Sequence, residues 1–351
     1  MRVIVVLRSL CILLFLFSCL INATQFDDPY QGYIVVENQN EAQLKSLALK
    51  QVLIKVSGNK EITALSDSNS LFQNINTMLS QYGYVNLGST RYFTAVFDKH
   101  KINQALTDMQ QSIWGDTRPI TLVWLISDGQ GERKLVSDNV ITSASDNVLS
   151  QTLQNEQLNR GIKLQFPLMD LDDNLAISVS DVSGRFYGQI ASASMRYNTN
   201  HFVVAQWQED STSMGTLTWQ LVTYNEQNKQ SRVLINEESR GSKESLITAM
   251  IDKVADYYAG QYAISINPDG ELSQTITVNG ITSLAQLTEL TALLGNLLSV
   301  SSYSIAHVDV STVTIDIQVN GGLDSFKNGL LAQPHLQAEL SDSNEFNFNW
   351  R

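Results

Sequence analysis

Apolar residues recur along this chain in two rhythms, every three or four positions and every second position, and the rhythm changes at turn residues. Ile34-Val35-Val36 predicts a strand. Asn40 follows as a helix cap with Gln43 as its capping-box partner, and Leu44, Leu47, Ala48, Val52 and Val56 then repeat at helical spacing until Gly58. Leu71, Ile75, Met78 and Leu79 predict a second helix over residues 70–81. Residues 92–97 read as a strand, Asp98 caps a helix carrying Ile102, Leu106 and Met109, and residues 120–126 read as a buried strand.

A polar, Gly-rich stretch at residues 128–133 opens a second block. There the pattern predicts a helix over 145–159 ended by Gly161, a strand over 162–166, and a loop from Pro167 to Asp173. A helix through 188–196 follows, then strands at 202–207, 217–224 and 231–237, and a closing helix with Leu246, Ile247, Met250, Val254 and Tyr258 on its inner face. In a third block, strands at 275–278, 300–308, 313–319 and 336–340 alternate with helices starting at Ser283 and after Gly321-Gly322, and Pro334 breaks the second helix. That order is the split β-α-β-β-α-β of ferredoxin-like modules, an arrangement shared with polypeptide-transport-associated docking domains.

The expected fold class is therefore α/β (α+β): two mixed α/β blocks at 30–128 and 129–263, a ferredoxin-like module at 272–342, and a tail at 343–351. In the tail, Phe346, Phe348 and Trp350 alternate with polar residues, the pattern of a strand that adds to a sheet edge, either a partner's or the chain's own.

Residues 1–23 change the picture of where such a chain works. Arg2 and Arg8 flank a short apolar run at 9–17, and Ala23 precedes a polar stretch, so the segment reads as a secretory signal with cleavage after Ala23. Two other readings are an uncleaved anchor and a lipoprotein signal acylated at Cys19. Both cysteines, Cys11 and Cys19, lie in that segment, so the exported remainder has no thiol for a disulfide, a metal site or a nucleophile. The formal charge of −12 argues against a nucleic-acid partner and against charge-driven binding to anionic membranes.

Few residues carry candidate chemistry. Asp170, Asp172 and Asp173 stand before a helix, where three carboxylates suit a divalent cation and equally suit the helix N-terminus. Trp114 and Arg118 flank a turn as a candidate anion or partner-binding site, because Trp and Arg are enriched at interface hot spots. The histidines, His100, His201, His307 and His335, are scattered and read as surface or turn residues. No Gly-x-Ser-x-Gly, His-Glu-x-x-His, Walker-type or Gly-x-Gly-x-x-Gly motif occurs.

Taken together, residues 51–58, Trp114-Gly115 with Arg118-Pro119, Arg160-Gly161 with Pro167-Leu168 and Asp170–Asp173, and Ala193-Ser194 with Arg196-Tyr197 resemble a family of exported proteobacterial proteins, domain of unknown function 2066. The resemblance covers residues 30–340; it implies an envelope protein and carries over no catalytic residue. The expectation is a periplasmic binding or docking protein with an envelope protein as partner and no cofactor beyond a divalent cation. The rivals are a metal-dependent hydrolase using Asp170, Asp172 and Asp173, and a small-ligand carrier.

Overall fold

In a computed structural model, strand β1 (Gln31–Val35) lies across helix α1 (Glu41–Ser57), and the two touch where β1 has no side chain. A Cβ on Gly32 would come within 2.9 Å of the Ala48 backbone. The structure describes residues 28–351 apart from 66, 88–89, 117, 130–131, 144–146, 211–213, 226–227, 266–271, 334 and 340–345. The expected signal segment, with Cys11 and Cys19, lies outside the described residues, as do Pro334 and Leu340.

Helix α1 starts and stops where its sequence dictates. Asn40 and Gln43 form the reciprocal capping box, and Gly58 ends the helix in the left-handed conformation at φ 70°. Two short helices, α2 (Ser68–Gln73) and α3 (Ile75–Met78), lead into strand β2 (Leu79–Leu87), which pairs with β3 (Thr90–Phe97). The single helix expected over 70–81 is thus corrected: it breaks at Asn74 and gives way to a strand. The spacing of Leu71, Ile75 and Met78 is helical, but Tyr82 and Tyr84 find their partners across β3, where Phe93 packs against both rings. With β3 also antiparallel to β1, the sheet order is β1-β3-β2. Helix α4 (Lys99–Asp108), capped by Asp98, closes this layer.

The second sheet is covered on both faces. Strand β4 (Ile120–Gly129) sits inside it, bonded on one edge to β5 (Glu132–Leu135) and to β6 (Lys163–Gln165). Its other edge pairs in parallel with β7 (His201–Glu209), and β8 (Gly215–Asn225) and β9 (Gln230–Gly241) follow antiparallel. Val123 and Leu125 face helices α6 (Asn147–Arg160) and α10 (Lys243–Tyr262), which pack together with Trp207, Leu217 and Trp219. Leu122, Trp124 and Ile126 face the opposite way, onto α8 (Val179–Ser183) and α9 (Tyr187–Met195). Burial on both faces is why residues 120–126 read as a nearly continuous apolar run. Helices α5 (Asp138–Thr142) and α7 (Leu171–Ala176) complete the block.

The third sheet runs β11-β12-β10-β14-β13. Strands β10 (Leu272–Asn279), β11 (Val300–Val308) and β12 (Thr312–Val319), with helices α11 (Leu284–Asn296) and α12 (Leu323–Leu331), enclose a core of Leu290, Leu294, Ile315, Ile317 and Phe326. The strand beside β10 comes from the tail. Strand β14 (Asn347–Trp350) inserts between β10 and β13 (Leu336–Ala338), parallel to the former and antiparallel to the latter. No helix among the described residues is long and apolar enough to cross a membrane.

Candidate functional site

Trp114 and Arg118, one of the candidate sites of the sequence, are both buried in the structure. Trp114 donates its backbone N–H to the Val56 carbonyl and packs beside Gly58. The Arg118 guanidinium stacks 3.6 Å from the Trp114 ring centre. Its N–H groups donate to the carbonyls of Gly115 (2.9 Å), Trp114 (2.7 Å), Lys55 (2.8 Å) and Gly161 (3.3 Å). Lys55 and Gly161 lie at the C-terminal ends of α1 and α6, where carbonyls lack helical donors and the helix dipole is negative. Arg118 therefore satisfies two helix ends at once, and the expected anion or partner site is corrected to an internal joint. Asp116, the other charge of that turn, pairs with Lys99 at 2.8 Å.

Beside this joint is a residue that patterning missed. Lys55 is 3 % exposed, and its ammonium donates to the Gln31 carbonyl on β1. One turn earlier Gln51 accepts from the Tyr33 N–H at 2.7 Å and donates to the Tyr33 carbonyl at 3.1 Å. Helix spacing of four residues thus matches strand spacing of two, and α1 closes the outer edge of β1 with side chains. Burial, reinforced by the nearby Arg118 charge, pushes the Lys55 ammonium down to about 7. An open cleft of about 570 Å³ lies over the same strand, lined by Asp28, Pro29, Tyr30, Gln31, Phe97, Lys99 and Asp116. Its volume suits a small ligand, but Lys99 and Asp116 are already spent on each other, and Asp28 accepts from the Tyr30 N–H at 2.8 Å.

Asp170, Asp172 and Asp173 part company. Asp170 caps α7 by accepting from the Asp173 N–H at 3.1 Å and takes both ends of the Arg196 fork, one at 2.6 Å. Those bonds hold the Asp170 carboxyl well below the usual carboxylate range. Asp173, 1 % exposed, accepts from Arg196 at 2.8 Å, from the Tyr197 hydroxyl and from the Met169 N–H at 2.8 Å. Burial, with that bond to Asp173, pushes the Tyr197 hydroxyl up to about 12. Asp172 is left exposed on the first turn. Among the described residues no three His, Cys, Asp or Glu are grouped to hold a metal ion. What the arrangement does is lock α7 against the end of α9.

That lock carries a surface the sequence reading did not single out. Leu171 and Leu175, four apart on α7, are 73 % and 78 % exposed. Leu168 before α7, Phe186 at the start of α9 and Met195 at its end are exposed as well. The signal was available: α7 is a turn and a half long, its cap Asp170 and its Asp173 meet Arg196, and its two leucines, four residues apart, are left to solvent.

The tail residues are placed elsewhere. Phe348 is fully buried against Phe326 and its neighbours, Phe346 stacks on Phe326, and Trp350 stacks on His335. Of the two readings of the tail, the chain's own edge is the one found, and the alternative in which these residues bind a partner's edge is corrected: they complete the third sheet. His201, expected near the surface, packs edge-on to Tyr258 and is pushed down to about 4 by burial.

Compared with known proteins, residues 23–115 match a family model described as a domain of unknown function, DUF8605. The match ends at the Trp114-Gly115 turn and covers β1 to α4, less than half of the chain. No curated protein matches the chain. The chain thus carries an uncharacterised domain within an α+β architecture.

Proposed function

We propose that this chain is an exported binding protein of the cell envelope, related to the domain of unknown function 2066 proteins, and that it docks a protein partner on the outer layer of its second sheet. The observation that carries the reading is the set of exposed apolar side chains Leu168, Leu171, Leu175, Phe186 and Met195 on helices that cover a well-packed core. Large apolar side chains left exposed on neighbouring helices that ion pairs tie together are candidates for an interaction site. The Asp170–Arg196–Asp173 lock beneath it keeps α7 and α9 in register, so the surface is preorganised and little ordering entropy is lost on binding. Export rests on the charge and apolar pattern of residues 1–23.

The test is a double substitution, Leu171→Asp with Leu175→Asp. Both positions are exposed, so stability changes by less than about 0.5 kcal/mol. Loss of two central apolar contacts weakens the complex by about 2 kcal/mol or more, roughly thirtyfold. The protein that co-purifies with the wild-type chain from its native envelope is then lost from the variant. A partner retained by a folded double variant sinks the reading.

A further inference from the structure

The three sheets end in edges of different character. The outer edge of β1 is closed by Gln51 and Lys55. Strand β9 carries Arg232, Glu237, Glu238 and Arg240, and β5 carries Arg133 and Lys134, the charges that keep edges from pairing. Strand β2 is uncharged, but Lys45 and Arg91 sit over its Tyr82 and Tyr84 rings, so two copies would bring cation against cation there. Strand β13 is only three residues long.

Strand β11 differs from all of these. It spans nine residues, Val-Ser-Ser-Tyr-Ser-Ile-Ala-His-Val, with no Lys, Arg, Asp, Glu or Pro. It ends the sheet, and no strand lies beyond it among the described residues. Eight of its nine residues are exposed, including Tyr303, Ile305 and Val308, and Val310 in the following turn is 91 % exposed. Register shifts between Val300 and Ser302 and between Ile305 and His307 leave residues 302–305 as the regular stretch.

We infer that β11 is a homodimerisation edge, pairing antiparallel with β11 of a second copy about a two-fold axis through Ser304. Over the regular stretch, self-pairing sets Tyr303 opposite Ile305 twice, an aromatic–β-branched cross-strand pair. A chain with a net charge of −12 repels its own copy over most of its surface, and this neutral edge is where two copies meet with no carboxylate across the seam. Another protein's strand would gain the same backbone bonds but not this self-matched register. The dimer edge lies on the third sheet, away from the α7–α9 surface on the second, so the two inferences stand or fall separately.

Sedimentation of the purified chain over a concentration series tests it, together with amide exchange of residues 302–305. The wild-type chain moves to twice the monomer mass as concentration rises, and those amides exchange at least tenfold more slowly in the dimer. Ile305→Lys or, independently, Tyr303→Lys returns the chain to monomer, with the thermal midpoint of the dilute, monomeric wild type. A wild-type chain that stays monomeric overturns the inference. So does a dimer that persists in either folded Lys variant, or one in which residues 302–305 gain no protection.

Discussion

At the scale of single residues, the telling ones are those whose partners lie far away in the sequence. Lys55 and Gln51 sit on a helix whose apolar stripe was plain to read, yet nothing local shows that they close a strand edge formed by Tyr33 and Gln31. The same is true of Arg118, whose acceptors lie at Lys55 and Gly161. Because Lys55 is held at about 7 while an unfolded lysine titrates near 10.4, the unfolded chain binds more protons between those values. Below about pH 7 both states are charged and burial of the ammonium costs stability in full. Stability then rises with pH through the window from about 7 to 10.4, by at most about 1.4 kcal/mol per unit. Denaturant unfolding from pH 7 to 10 checks this: Lys55→Met removes the rise, and an identical profile in wild type and variant refutes the assignment.

At the scale of elements, what was legible was what is decided locally. Helix α1 shows its cap, stripe and stop in sequence, because Asn40, Gln43 and Gly58 act within one turn of the ends. Strand β4 shows its burial, because helices cover both of its faces and both therefore select apolar residues. Strand β2 was hidden, since its strand state depends on β3. The tail was read correctly as a strand-like alternation, but which sheet it joins is a tertiary fact, set by the place left between β10 and β13. Phe348→Ala, at a fully buried position, is therefore expected to cost about 3–5 kcal/mol, read as a fall in the unfolding midpoint of the third block. A loss below about 1 kcal/mol, the scale of a surface change, contradicts the tail's place in the core.

At the scale of the whole molecule, the three blocks converge on one turn. Ile113 bridges to Ile264, a Cβ on Gly58 would sit 2.4 Å from that of Ala259, and a Cβ on Gly115 would meet Leu298 at 2.4 Å. At Gly58, where φ is also positive, such close approach needs glycine, and it was invisible in composition or periodicity. With Trp114 and Arg118 committed to this joint, and with Asp170 and Asp173 committed to Arg196, the residues that looked most chemical turn out to hold the scaffold. The surface proposed for docking is the set of apolar side chains exposed on and beside α7 and α9. The most direct measurement replaces Leu175 or Leu284 with a photo-crosslinking residue in the cell that makes the protein. Both positions are 78 % exposed, so reactivity with bulk solvent is matched. The account predicts one partner adduct from position 175 and none from position 284. No adduct at 175, or the same adducts from both, contradicts it.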